Sequence, residues 1–508
     1  MICIPIIANN HDDALHDMAD ASMVADIIEL RIDYIKNVDL KRLLERRTKP
    51  LIVTNRPVRE GGKFDGSEED RIALLKLAIR LQADYVDIEH DSIQHLCGDT
   101  EHRVPTSTTK IIVSYHNFCK TRDNLTDIYN RLSQSGADIV KIVTHANSIT
   151  DNVRIYRLLQ QSQMPLISFC MGELGIISRI LYKRFGSYLT FASLRTGKES
   201  APGQISIHEF LNTYHARKQD KHSAIYGLIG NPVSHSISPI IHNTLFKELN
   251  INGIYVPFKV DNIGDFIREF RVLDVKGYSV TIPHKESVIN HLDAIDPIAK
   301  KIGAVNTIVN KDGQLVGFNT DCEAAIKVLE GVNQVCNRGE RSFTLTKDMD
   351  LRGKKVTLIG AGGVARAIAF GLKDRQVQLT IINRNYERAQ SLARDVGCLV
   401  RKFDEPQALD TDILINATPV GMFPNINETP IDKNKLKPSM IVFDTIYNPI
   451  ETKLLCDAKA LGCKTVSGLS MFIHQAAAQF KLWTGQMPSV EMIEKLSRNK
   501  LIPESCTT

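Results

Sequence analysis

The chain has 508 residues, 43% hydrophobic and 24% charged, which is too long for one hydrophobic core and ordinary for a folded multi-domain protein. A formal net charge of +5, with no long block of one sign, argues against a nucleic-acid binder and suits small anionic substrates. No apolar run reaches membrane-spanning length, the N-terminus lacks the basic start of a secretory signal, and the ten cysteines show neither C-x-x-C pairs nor zinc spacing. The expectation is therefore a cytoplasmic, reducing setting with no nucleic acid, membrane or metal as partner, the oligomeric state being left open.

Short apolar runs recur along the first 215 residues. They lie at Ile2 to Ala8, Ile27 to Ile32, Leu51 to Thr54, Tyr85 to Ile88, Ile111 to Tyr115, Ile139 to Val143, Leu166 to Met171 and Tyr188 to Ala192. Helical periodicity fills the gaps, as in Glu69 to Leu81 and Asn124 to Leu132. The runs are continuously apolar rather than alternating, which marks strands buried on both faces. Eight such strands alternating with helices predict an α/β fold, a (β/α)₈ TIM barrel over residues 1–215.

A linker at 216–223 precedes a second unit over 224–335, with strands at Ala224 to Ile229, Ile254 to Val260 and Gly277 to Ile282. A hairpin spans Val305 to Phe318 and turns at Lys311-Asp312-Gly313. The polar stretch Asn333 to Asp350 leads to a third unit over 350–467, with strands at Lys354 to Gly363, Gln378 to Asn383, Asp412 to Ala417 and Met440 to Asp444. That pattern predicts a Rossmann-like, doubly wound nucleotide fold. The helical segment Ser470 to Trp483, within 468–500, is expected to return to the second unit, giving two lobes and a cleft.

Polar residues at the C-terminal ends of barrel strands face a barrel's active site. Here these ends carry Glu29, Arg31, Arg56, Glu89, His116, Lys141 and Met171, with Arg179 opening the helix after the seventh strand and Ser200 and Gln204 in the last loop. Lys141 sits inside the apolar run I-V-K-I-V. Burial disfavours a charged amine, and a neutral one can form a Schiff base with a ketone. His116 ends the preceding strand, placed to move protons beside an imine, and Glu89 is one strand further back, placed to orient the imidazole. A strand-end lysine is often only a snorkelling surface residue, and a lone histidine is often structural. So many charges at one rim, however, are costly unless they serve a site.

Residues 1 to about 215 resemble type I 3-dehydroquinate dehydratase. The resemblance rests on E-L-R-I-D from Glu29, T-N-R-P-V-R-E-G-G from Thr54, D-I-E from Asp87, S-Y-H-N-F from Ser114, V-K-I from Val140, G-I-I-S-R from Gly175 and S-A-P-G-Q from Ser200. It implies that Lys141 forms an imine with the C3 ketone of 3-dehydroquinate. His116 would take a C2 proton and later protonate the departing C1 hydroxyl, oriented by Glu89. Arg179 would hold the substrate carboxylate, with Glu29, Arg31, Arg56, Met171, Ser200 and Gln204 around the rest of the molecule.

In the third unit, Gly360-Ala361-Gly362-Gly363 follows a strand and opens a helix, a seat for a pyrophosphate. The next strand ends in Asn383-Arg384-Asn385, with Arg388 a turn later, where an NAD enzyme would carry an acid for the ribose diol. Arginines there suit a 2′-phosphate, so NADP is the expected cofactor. In the second unit, Lys285 follows Ser279-Val280-Thr281-Ile282-Pro283-His284, and Asp321 follows Asn319-Thr320. Such a Lys/Asp pair can protonate a carbonyl as it is reduced. Ser236 and Ser238 stand before a helix, as a carboxylate seat or simply as caps.

Residues 224 to about 500 resemble shikimate dehydrogenase, with further matches in G-A-V-N-T from Gly303, N-A-T-P-V-G-M from Asn416, D-T-I-Y-N-P from Asp444 and G-L-S-M-F-I-H-Q-A-A from Gly468. The resemblance assigns Ser236, Ser238, Thr281, Asn306, Tyr447 and Gln475 to substrate binding, and Lys285 and Asp321 to catalysis. Two consecutive families in one chain share an intermediate. The first would convert 3-dehydroquinate to 3-dehydroshikimate, and the second would reduce that product to shikimate with NADPH.

Overall fold

The computed structural model describes residues 1–97, 108–332, 349–403 and 409–501. The polar stretch expected between the second and third units falls almost wholly outside these residues, as do Cys336 and Cys506. Two compact units result: residues 1–225 with 246–273, and residues 226–245 with 274–501.

In the first unit, eight parallel strands follow one another around a barrel. They are β1 (Ile2–Ile6), β2 (Ile27–Arg31), β3 (Leu51–Thr54), β4 (Tyr85–Glu89), β5 (Lys110–Asn117), β6 (Ile139–His145), β7 (Leu166–Met171) and β8 (Thr190–Phe191). The order is β7-β6-β5-β4-β3-β2-β1-β8, and the Tyr188 amide bridges the remaining seam by donating to the Leu166 carbonyl at 2.8 Å. Side chains alternate between the two faces of a strand, so every second residue enters the barrel. Cys3, Ile27, Ile52, Ile112, Ile139 and Ile167 form an apolar floor. One step up each strand stand Glu29, Thr54, Asp87, Ser114 and Lys141, and a step further Arg31, Arg56, Glu89 and His116. The barrel is thus closed below by carbon and finished above by charge. Strand β10 (Gly253–Lys259) and the helix Ile263–Phe270 also group with this unit.

The second unit has two sheets. Across the first run β9 (Ala224–Gly230), β11 (Gly277–Val280), β13 (Thr307–Lys311), β14 (Gln314–Phe318) and β12 (Ala294–Ile295), in that order. The expected hairpin is β13–β14. Its two-residue turn is Asp312-Gly313, both at positive φ, as such tight turns require. The second sheet contains β15 (Lys355–Ile359), β16 (Gln378–Ile382), β17 (Leu399–Arg401), β18 (Ile413–Asn416), β19 (Ile441–Asp444) and β20 (Lys464–Ser467). All pair in parallel in the order β17-β16-β15-β18-β19-β20, with the chain reversing direction across the sheet at β15 and β18. Ligands of such sheets bind beyond the strand ends at that switch point.

The helix Gly468–Thr484 leaves β20 and packs on the first of these sheets, as expected. Gln479 donates to the Asn306 carbonyl at 3.0 Å and accepts from Ser279 Oγ at 2.7 Å, and Trp483 Nε1 donates to the Ile308 carbonyl at 3.0 Å. No described helix is long and apolar enough to cross a membrane.

Candidate active sites

Lys141 projects from the middle of β6 into the barrel and is 5% exposed. A bare ammonium there would cost several kcal/mol, of order the effective burial penalty per ion. It is met by Asp87 at 2.7 Å and Glu29 at 3.6 Å, while its Nζ lies 4.7 Å from the Phe191 ring centre. Asp87 also accepts from Ser114 Oγ at 2.7 Å and pairs with Arg56 at 2.9 Å. Despite full burial, the Arg56 and Lys141 charges hold its carboxyl well below the usual carboxylate range.

His116 lies on the neighbouring strand. Burial, then the charges of Arg56 and Lys141, push its imidazole well below its ordinary pKa, so the ring is neutral and able to accept a proton. Its Nδ1 stands 3.1 Å from Glu60 Oε2. This corrects the sequence-based expectation for Glu89. Both Glu89 oxygens are occupied at 2.6 Å, one by Arg56 and one by the buried Arg71, so Glu89 anchors arginines and does not orient the imidazole.

Glu60 sits in the short turn after β3, which doubles back so tightly that a Cβ on Gly62 would lie 1.9 Å from the Arg56 carbonyl oxygen. Burial raises the Glu60 carboxyl to about 7. Sequence reasoning missed Glu60 because it belongs to a loop, not a strand end. The available signal was the glycine pair behind it in R-E-G-G.

One cavity at the barrel mouth gathers Glu29, Arg31, Arg56, His116, Lys141, Met171, Arg179, Ser200 and Gln204, together with Glu60 but not Glu89. Arg31 is clamped in a fork by Asp33 at 2.8 and 2.9 Å, and Thr54 holds Glu29 at 2.9 Å. Gln204 Oε1 accepts from the Ser200 amide at 2.8 Å, closing the last loop on itself. Arg179 comes late in the helix Ile176–Ile180 rather than opening it, its guanidinium 4.1 Å from the Phe169 ring centre. Its Nε and Nη2 are buried without a hydrogen-bond partner among the described residues, and burial pulls its pKa down to about 9. A buried guanidinium left so bare is a ready seat for an anion.

In the second unit, Lys285 Nζ meets Asp321 Oδ2 at 2.6 Å, with both side chains largely buried. Asp321 begins the helix Asp321–Glu330, at the positive end of the helix dipole. Asn306 fixes the turn into that helix. Its Oδ1 accepts from the Thr320 amide and Thr307 Oγ1, each at 2.8 Å, while its Nδ2 donates to Thr320 Oγ1 at 2.9 Å. Thr320 Oγ1 reaches the Gln475 carbonyl at 3.4 Å, and Gln475 Nε2 donates to Phe472 at 3.1 Å. The Phe472 ring lies 4.5 Å from that of Tyr447, which is hydrogen-bonded to Ser236. Ser236 Oγ accepts from the Ser238 amide at 3.2 Å, just ahead of the helix Ser238–Glu248. Thr281 follows β11, four residues before Lys285, and its amide donates to the Ile229 carbonyl at 2.8 Å.

A cavity of about 340 Å³ runs from Lys285 along Gly360, Ala361, Gly362 and Gly363 to Asn383, Arg384 and Arg388, walled opposite by Ala417 to Val420. The residues fit a dinucleotide. Gly360 has φ +123°, and a Cβ there would meet the Ala417 carbonyl oxygen at 2.8 Å, whereas a Cβ on Gly362 would stand in open space. A Cβ on Gly363 would lie 2.9 Å from Lys285 Cβ, so the helix start presses against the Lys285 end of the cleft. At the far end Asn383 Nδ2 donates to the Asn385 carbonyl at 3.0 Å, Asn385 caps the Arg388 amide at 3.0 Å, and Arg388 pairs with Glu286 at 3.1 Å. Arg384 also lines an adjoining cavity of about 890 Å³.

The folds and sites define a lysine-centred barrel lyase joined to a nucleotide-dependent dehydrogenase. Residues 2–221 match the model of type I 3-dehydroquinase. Residues 228–308 match the shikimate dehydrogenase substrate binding domain, residues 343–451 match shikimate / quinate 5-dehydrogenase, and residues 468–496 match the shikimate 5′-dehydrogenase C-terminal domain. The bifunctional 3-dehydroquinate dehydratase/shikimate dehydrogenase of Arabidopsis thaliana, a chloroplastic protein, is 41% identical over 497 residues, covering 96% of this chain and 82% of its own. The chain belongs to this bifunctional family. The NADP(+) shikimate dehydrogenase of Bacillus cereus is 39% identical over 287 residues, 54% of this chain and 98% of its own. A crystal structure of shikimate dehydrogenase in complex with NADP+ superposes with a TM-score of 0.50 at 39% identity, covering 56% of this chain and 98% of the other.

Proposed function

We propose that the chain performs two consecutive steps of the shikimate pathway and that the residues gathered above carry them. The single observation with most weight is Lys141, held in the barrel between two carboxylates beside a neutral histidine. Lys141 attacks the C3 ketone of 3-dehydroquinate, and loss of water gives the imine. His116, held by Glu60, removes a C2 proton and returns it to the departing C1 hydroxyl. Arg179, with two unpartnered nitrogens, takes the substrate carboxylate. Hydrolysis of the imine then releases 3-dehydroshikimate.

In the second unit the cavity from Lys285 to Arg388 would hold NADPH, which when bound would supply a hydride for that ketone. Lys285 protonates the carbonyl oxygen, with Asp321 keeping the ammonium in place. Ser236, Ser238 and Tyr447 bind the substrate carboxylate, while Thr281, Asn306 and Gln475 contact its hydroxyls. Gly360 to Gly363 receive the pyrophosphate, and Arg384, Arg388 and Asn383 the 2′-phosphate, Asn385 shaping that turn. The division into barrel (1–215), linker (216–223), substrate lobe (224–335 completed by 468–500) and NADP lobe (350–467) is part of this reading. So is a cytoplasmic setting, supported by seven described cysteines that are free thiols.

Two results are expected. Arg384→Ala raises the Kd of NADP+ by about 10-fold or more, the size of a lost charge-assisted contact, and leaves NAD+ binding nearly unchanged. Calorimetric titration of both nucleotides checks this, and equal weakening would move the 2′-phosphate elsewhere.

The second concerns pH. Glu60 is protonated below about 7 and ionised above it, whereas His116 stays neutral across that range. Only ionised Glu60 stabilises the imidazolium formed during proton removal, so kcat/KM for dehydration falls as pH drops through about 7. Glu60→Gln lowers the rate and flattens that limb. A limb unchanged in the variant would assign it to another group.

A further inference from the structure

We propose that Asp444 is a positioning residue that fastens the cofactor wall of the dehydrogenase cleft to its substrate wall, so that binding at one side tightens the other. The inference rests on reading Tyr447 as a substrate contact and the 417–420 turn as a wall of the NADP site. Asn416 and Asp444 end adjacent parallel strands in register, β18 and β19, and both are wholly buried. Beyond β18 the chain forms the 417–420 turn that lines the nucleotide cavity. Beyond β19 it runs through Tyr447 to the helix Lys453–Ala460.

Asp444 joins the two. Its Oδ1 accepts from Asn416 Nδ2 and from the Ile446 amide, each at 3.1 Å, and its Oδ2 accepts from Thr452 Oγ1 at 2.7 Å. On the cofactor side, Asn416 Oδ1 accepts from the Thr418 amide at 3.0 Å and Thr418 Oγ1 at 2.7 Å, and its Nδ2 also reaches the Val420 carbonyl at 3.3 Å. On the substrate side, Thr452 caps the helix Lys453–Ala460 through the Leu455 amide at 3.4 Å. The 445–452 segment carrying Tyr447 is therefore pinned at both ends by one carboxylate, and the same carboxylate sets the amide that shapes the nucleotide turn. A buried acceptor with every donor in place has one low-energy arrangement, so a shift of either loop is felt by the other.

The test is calorimetric titration of NADPH with and without saturating shikimate, a pair that cannot react because both are reduced. Shikimate is expected to lower the Kd of NADPH about fivefold or more in the native chain, an ordinary coupling between sites. In Asp444→Asn, where an amide must face one of the donors, and in Thr452→Val, which removes the substrate-side donor together with the cap on the Leu455 amide, the ratio falls close to one. Should Asp444→Asn fail to fold, Thr452→Val carries the test alone. A native ratio of one, or folded variants with the native ratio, overturns the clamp. Failure of the underlying site reading shows separately, as an unchanged shikimate Kd in Tyr447→Phe.

Discussion

Lys141→Ala is expected to abolish dehydration of 3-dehydroquinate, by on the order of 10⁵-fold or more, and to leave shikimate oxidation at its native rate. Among the described residues Lys141 is the one lysine that lines the barrel cavity, so no second amine is placed to form the imine. The variant also loses the cation that meets Asp87 and Glu29. Asp87 keeps Arg56 and Ser114, and Glu29 keeps Thr54, so the barrel is destabilised by less than the roughly 3–5 kcal/mol of a fully orphaned buried charge. Circular dichroism and a melting curve separate that loss from the chemical one. Borohydride in the presence of substrate should give a stable adduct on Lys141 in the native chain and none in the variant. Dehydration persisting in the variant would exclude imine chemistry, and loss of both activities in a folded variant would exclude independent sites.

Lys285→Ala is expected to lower kcat for shikimate oxidation by about 10²–10⁴-fold, the range of a lost general acid–base group, with dehydration untouched. Because Lys285 lies where the helix start at Gly363 presses into the cleft, its loss acts at the reacting end rather than on the distant phosphate. The Kd of NADP+ should therefore change little. Asp321→Asn keeps the lysine but loosens its 2.6 Å partner, and a smaller fall in kcat is expected. Steady-state rates beside nucleotide titrations decide this. A Lys285→Ala variant with native kcat but weakened nucleotide would make the lysine a binding group.

The features legible in the sequence were those set by local periodicity. Continuous apolar runs marked the barrel strands, two of them, β3 and β7, to the residue, and the polar residues at their C-terminal ends marked the barrel mouth where Lys141 and its neighbours gather. Gly360 and Asp312-Gly313 were legible because their backbone angles suit few residues other than glycine, asparagine and aspartate. Partnership across the fold was not. Glu60 lies 56 residues from His116 and Glu89 lies 33 from Arg56, and only the doubling back of the loop after β3 decides which glutamate reaches the imidazole. Asp87 lay in the quoted D-I-E motif, yet its pairing with Lys141 spans two strands and follows from barrel closure. The short strands β12 and β17 carry too few residues to show a period and β20, K-T-V-S, is not an apolar run, so their place is fixed by the sheets they complete.

The central claim is that one chain turns 3-dehydroquinate into shikimate through two sites in sequence. The direct measurement is the purified chain mixed with 3-dehydroquinate and NADPH, with no other enzyme, following NADPH absorbance. The account predicts NADPH consumption after a short lag while 3-dehydroshikimate accumulates, with shikimate formed in equal amount. Consumption from added 3-dehydroshikimate but none from 3-dehydroquinate would contradict it, leaving the barrel without the activity assigned to Lys141.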